Sequence, residues 1–67
     1  MFVPAKLRKL RLEAALTQKE LAEKAGLAVS TVNKLEMGHE QPWPTTLRAL
    51  AAALKVKPKD LLGEDAG

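Results

Sequence analysis

The 67-residue chain has no cysteine and no tyrosine, a single histidine, and only Phe2 and Trp43 as aromatic residues. Without cysteine there is neither a disulfide framework nor a thiolate zinc site, so apolar packing alone has to hold the fold. One histidine cannot build a structural zinc site by itself, and His39 reads as a solvated loop residue; no metal and no cofactor are expected. No stretch approaches the ~18 continuous apolar residues that a membrane span requires. An export signal is not expected either, because Leu7, Leu10 and Leu12 are interleaved with Lys6, Arg8, Lys9 and Arg11 rather than following them. The expected location is therefore the cytoplasm.

The scarcity of aromatic residues also bears on fold class. The 46% hydrophobic share rests mainly on Leu, Ala and Val, and Leu and Ala favour helices, whereas sheets draw on aromatic and β-branched side chains. The expectation is an all-α fold, a compact bundle of five short helices in one domain spanning residues 1–67. A domain of about 60 residues buries only ~60% of the surface its unfolded chain exposes. That leaves little room for a catalytic cleft and its supporting shell. Glu13, Glu20, Glu23 and Glu40 each have an ordinary surface or capping role, and there is no nucleophile–base pair and no phosphate-cradling Gly-rich loop. The chain is not expected to be an enzyme or to take a small-molecule substrate.

Charge is unevenly placed. Residues 1–36 carry seven Lys/Arg against four Glu, whereas the remainder is balanced at four against four. The basic half is the one to search for a polyanion contact, with solvated helix faces as the plainer alternative.

Along the chain, Pro4 opens a first helix expected to run to Ala15, with Leu7, Leu10 and Ala14 on one stripe. Thr17-Gln18-Lys19-Glu20 is a capping box, in which the Thr hydroxyl accepts from the backbone N–H of Glu20 and the Glu carboxylate reaches back. Leu21, Ala22 and Ala25 form the buried stripe of this second helix, and Gly26 ends it in the left-handed conformation that glycine adopts most cheaply. Only Leu27 and Ala28 precede the next helix, Val29 to Glu36. Two short helices joined by a Gly-containing connector of about three residues are a helix-turn-helix, here over residues 17–36. Gly38 closes the third helix. Pro44 opens a fourth, with Leu47, Leu50, Ala51 and Leu54 as its apolar stripe. Pro58 to Leu62 is expected as a fifth short helix closed by Gly63, and Glu64 to Gly67 as a frayed tail.

The third helix carries the functional reading. At ~100° per residue, Val32 and Leu35, with Ala28 just ahead, point together toward the core. Ser30, Asn33 and Lys34 then occupy the opposite side, with Val29 and Met37 at its edges. Ser, Asn and Lys can hydrogen-bond base edges, and Val29 can meet a thymine methyl. An ordinary polar helix face is the competing interpretation.

The segment TQKELAEKAGLAVSTVNKLEMG resembles the helix-turn-helix of the phage-repressor family (Cro and lambda-repressor, or Xre, type). The resemblance rests on Gln18, Leu21, Ala22, Gly26, Val32, Glu36 and Gly38. It continues through Pro42, Thr46, Leu47, Leu50, Ala51, Leu54, Val56, Leu61 and Leu62, and upstream through Leu7, Leu10 and Arg11. It implies that Arg11 of the first helix pairs with Glu36 at the end of the third. It also implies DNA contacts: Gln18 to a phosphate or outer base, Val29, Ser30 and Lys34 to bases, Asn33 to a base or phosphate, and the Gly38-His39 backbone to phosphate. The chain departs from the family pattern at Ala28, Trp43 and Lys57, where helix caps are usual.

The expected function is thus sequence-specific binding of double-stranded DNA by a small prokaryotic transcriptional regulator, a repressor-type homodimer reading two half-sites. Dimer contacts are expected from the domain itself, through Trp43 and the surface near Leu61. Trp43 has two other readings, folding over the domain's own core or packing along the DNA backbone. The main rival function is an antitoxin-like or partner-regulated protein-interaction module on the same fold. RNA binding is weaker still, because no aromatic stacking platform is evident.

Overall fold

Local sequence chemistry starts and stops most of the elements. The computed structural model of the chain describes residues 1–63, and the expected tail, Glu64 to Gly67, lies outside the described residues. The described chain forms four α-helices and a 3-10 turn: α1 (Pro4–Glu13), α2 (Gln18–Ala25), α3 (Val29–Glu36), α4 (Pro44–Leu54) and the turn Pro58–Leu61. The architecture is all-helical, but the expected fifth helix is only that single turn. Its physical cause lies far away in sequence. Leu62 is extended, with φ −102° and ψ 148°, and pairs antiparallel with Phe2. The Val3 N–H donates to the Leu61 carbonyl at 3.0 Å and the Gly63 N–H to the Met1 carbonyl at 2.6 Å. A chain committed to that pairing cannot continue as a helix.

The capping box of α2 is formed as the sequence implies. The Glu20 N–H donates to Thr17 Oγ1 at 3.0 Å, and the Thr17 N–H donates to Glu20 Oε1 at 2.9 Å. The bond from the Thr17 backbone, followed by an interaction with the Thr17 hydroxyl, holds the Glu20 carboxyl below the usual carboxylate range, with the charge of Lys24 adding to the effect. Gly26 is left-handed at φ 70°. The first helix ends two residues earlier than expected, at Glu13. Ala15 takes a positive φ of 58°, so Ala14 lies beyond the helical stripe and is exposed rather than packed.

The core draws on every element. Leu7 of α1, Leu21 and Ala22 of α2, Val32 and Leu35 of α3, Leu50, Ala51 and Leu54 of α4 and Leu61 of the 3-10 turn are buried together with Phe2. Phe2 is only 5% exposed, so the short terminal pairing places the one phenylalanine inside. Helix α2 packs on α3 and α4, while α1 packs on α3 and on the 3-10 turn. This arrangement clamps α3 from one side and leaves its other face outward. No helix among the described residues is long and apolar enough to cross a membrane.

Candidate nucleic-acid interface

Helix α3 splits cleanly by burial. Val32 and Leu35 are fully buried, whereas Val29, Ser30, Asn33 and Lys34 are exposed. The geometric expectation for this helix holds at these residues but not at Ala28, which precedes the first helical turn and is exposed rather than turned to the core. Its N-cap, Ala28, makes no side-chain capping bond. Ser or Thr at such a position typically adds ~1 kcal/mol, so α3 depends on tertiary packing more than α2 does.

The far end of α3 is closed by Gly38 at φ 77°. There the His39 N–H donates to the Lys34 carbonyl at 2.9 Å and the Gly38 N–H to the Leu35 carbonyl at 3.2 Å, the paired bonds of a Schellman motif. Gly38 and His39 are both exposed, but these two amides are already used within the chain.

Arg11 and Glu36 form a two-pronged ion pair. Arg11 Nε donates to Glu36 Oε2 at 2.5 Å and Nη2 donates to Oε1 at 3.0 Å. Arg11 Nη1 donates to the Leu16 carbonyl at 2.9 Å, so the same guanidinium also holds the loop leading to α2. The hydrogen bond to Glu36 raises the Arg11 pKa above its ordinary value, against the lowering effect of burial, and the carboxylate's charge adds to the rise. A planar fork matched to a carboxylate fixes direction as well as distance. The pair thereby ties the end of α3 to α1.

The resemblance implies that Gln18 contacts a phosphate or an outer base; in the structure its side chain is half-buried and bonded within the domain. Its Nε2 donates to Glu36 Oε1 at 3.1 Å, and its Oε1 accepts from Asn33 Nδ2 at 3.2 Å. A continuous chain of hydrogen bonds, Arg11–Glu36–Gln18–Asn33, thus runs from the interior to the exposed face of α3. The resemblance implied the Arg11–Glu36 pair, but sequence reasoning missed its extension through Gln18 to Asn33, because those members are joined across separations of 18 and 15 residues. The available signal was chemical: a carboxylate has about four lone-pair sites, and a fork from one arginine leaves room for another donor.

Two expected dimer residues separate. Trp43 is 77% exposed, which removes the reading in which it folds over the core. Leu61 is fully buried and packed with Leu50 and Phe2 in the core cluster, so its side chain is not available for a dimer contact. It was expected on a fifth helix, but it lies on the 3-10 turn, where the Val3 N–H bonds its carbonyl and its side chain joins the core. Among the described residues, no group of three or more His, Cys, Asp or Glu is placed to hold a metal ion.

With this geometry in view, residues 7–61 match the helix-turn-helix family. The chain belongs to that family, of the Xre and lambda-repressor type. The chain is 37% identical over 65 residues to the immunity repressor protein of Bacillus phage phi105, covering 97% of this chain and 45% of that protein. Among solved structures, it resembles the restriction-modification controller protein C.AhdI from Aeromonas hydrophila. The TM-score is 0.86 at 34% identity, covering 88% of this chain and 89% of the other. It also resembles SinR, the master regulator for biofilm formation, solved in complex with DNA, with a TM-score of 0.85 at 31% identity, covering 90% of this chain and 100% of that one. The chain spans less than half the length of the curated relatives it matches.

Proposed function

We propose that this helix-turn-helix domain binds double-stranded DNA sequence-specifically as the reading domain of a prokaryotic transcriptional regulator, working in the cytoplasm with α3 in the major groove. The observation that carries the proposal is the pairing of an exposed polar face on α3 with a buried fork that locks the helix behind it. Ser30, Asn33 and Lys34 supply donors and acceptors for base edges, Val29 an apolar contact for a thymine methyl, and Lys34 a cation suited to guanine O6 and N7. The exposed His39 side chain, just past the end of α3, suits a phosphate contact, which sets register without reading sequence. The relatives support the same reading, since they are repressors and regulators and one of them was solved on DNA.

One such helix reads only a few base pairs, so a homodimer on two half-sites about one helical turn apart is the working assembly. The exposed Trp43 is the contact proposed for it, since an aromatic ring at 77% exposure has most of its surface to bury. A second reading, recognition of a protein partner, is favoured by Met37 and Val29, which expose apolar surface at the edges of the same face. SinR itself has also been solved with SinI.

Replacing Ser30 and Lys34 together with Ala tests the two readings against each other. Both are exposed, so thermal melts should move by no more than ~0.5 kcal/mol. Binding to a duplex selected from a random library should weaken by ~1–3 kcal/mol per lost base contact, with relaxed sequence preference. Unchanged affinity and selectivity would remove α3 as a base reader and favour the protein-partner reading.

A further inference from the structure

Resting on the DNA-reading role just proposed, we infer that Gln18 is a positioning residue that fixes the orientation of the Asn33 amide, so that Asn33 reads adenine. The inference follows from which groups in the network can donate and which can only accept.

Glu36 accepts two N–H bonds from Arg11, and an ionised carboxylate has nothing to donate. Gln18 approaches the same carboxylate, at Oε1, to 3.1 Å. Only the NH₂ end of its amide can face that oxygen, because the carbonyl end would set two acceptors against each other. The Gln18 carbonyl is then directed to the other side, where it meets Asn33 at 3.2 Å. Asn33 in turn has to present its NH₂ group to that carbonyl. The charge state of one carboxylate thereby dictates the polarity of two successive amides.

For the exposed face of α3 the consequence is definite. Asn33 has one N–H engaged by Gln18, and its Oδ1 and second N–H remain for a ligand. A free asparagine rotates its amide to present either end at small cost; this one is held in a single orientation. Among the major-groove edges, adenine alone offers a donor, N6–H₂, beside an acceptor, N7, whereas guanine offers two acceptors and thymine an acceptor and a methyl. An acceptor with an adjacent donor therefore selects adenine. Reversal of the amide, which would favour guanine O6 or thymine O4, costs the Gln18 bond and is disfavoured.

The test compares the wild type with Gln18→Met, Asn33→Ala and the double variant, each checked by thermal melt for a folded domain. The wild type first selects its preferred duplex from a randomised pool. Each protein is then titrated on that duplex and on versions in which single adenines are changed to guanine or to purine, which lacks the N6 amino group. The wild type should lose roughly tenfold or more at one adenine per half-site, for both changes, the loss typical of a good base contact. Asn33→Ala should abolish the preference at that adenine. Gln18→Met should reduce it several-fold while leaving the other positions selective, and the double variant should be no less selective there than Asn33→Ala alone.

A Gln18→Met variant that binds all sequences more weakly by the same factor, with the adenine preference intact, would overturn the inference and leave Gln18 a phosphate contact. Additive losses in the double variant would likewise overturn it. A wild type that selects no sequence at all removes the DNA reading first, and the two failures are thereby distinguished. If Gln18→Met does not fold, Gln18→Leu in the same titration takes its place.

Discussion

Helices α2 and α3 end on glycine, whereas α1 and α4 reach the same left-handed geometry with Ala15 and Lys55. The hydrogen bonding is the same at all four ends. Leu16 donates to the Arg11 carbonyl, Leu27 to Ala22, His39 to Lys34 and Val56 to Ala51, each with the second, shorter-range bond beside it. What supports the turn sets α3 apart from the other three. After α1, α2 and α4 the following residues, Leu16, Leu27 and Val56, pack against the core, and Leu16 is also held through its carbonyl by Arg11. After α3 the following residue is the exposed His39, with no apolar anchor. Where tertiary packing holds the turn, a residue with a Cβ is tolerated; where α3 must end without that help, glycine removes the strain. The two glycines bracket α3, Gly26 on its approach and Gly38 at its exit.

The largest expected effect comes from the element that links the two regions. Glu36→Ala leaves the Arg11 guanidinium buried without its counter-charge. Truncating one partner of such a pair should cost roughly 3 kcal/mol, the low end for buried pairs, because this network runs out to the exposed Asn33. For a domain of this size, whose total stability is on the order of 3–10 kcal/mol, chemical denaturation should show a large fall in midpoint. A loss below ~1 kcal/mol would mean that packing alone fixes α3.

Next in size is Gly26→Val. A Cβ at this position meets no atom within 4 Å, so the whole penalty comes from forcing a β-branched residue to a φ of 70°. The expected destabilisation is about 2 kcal/mol, measured by thermal melt. No loss would show that the turn between α2 and α3 relaxes to another backbone conformation.

The smallest effect should have the opposite sign. Ala15→Gly and Lys55→Gly should each stabilise the domain by roughly 0.5 kcal/mol, since relief of the left-handed strain exceeds the extra entropy that glycine loses on folding. Melts that move down for both variants would mean that the left-handed strain at Ala15 and Lys55 is smaller than the entropy glycine loses on folding, so that no strain is left there for packing to hold.

The parts of this fold that were legible in the sequence have local causes. Thr17 and Glu20 satisfy each other's amides within four residues, Gly26 and Gly38 stop helices where they stand, and the apolar stripes of α2 and α4 follow the helical repeat. The polar face of α3 was legible for the same reason, because Val32 and Leu35 alone set the rotation of the helix. The Arg11–Glu36 pair was accessible only through family resemblance, since nothing in the spacing joins residues 25 apart.

What tertiary structure decided is everything whose energy depends on distant partners. Trp43 stands exposed although its size favours burial, because no part of the core reaches it. Leu61 is drawn inward, and the expected fifth helix is cut to one turn, because Phe2 and Val3 pair with the chain there and bury the phenylalanine. Gln18 faces inward because a carboxylate from α3, itself oriented by an arginine from α1, has a lone pair to offer. A chain encodes its turns and faces through neighbours a few residues away. The direction of a single amide is settled only when three helices meet, because a hydrogen bond gains its preference from the partner that folding brings to it.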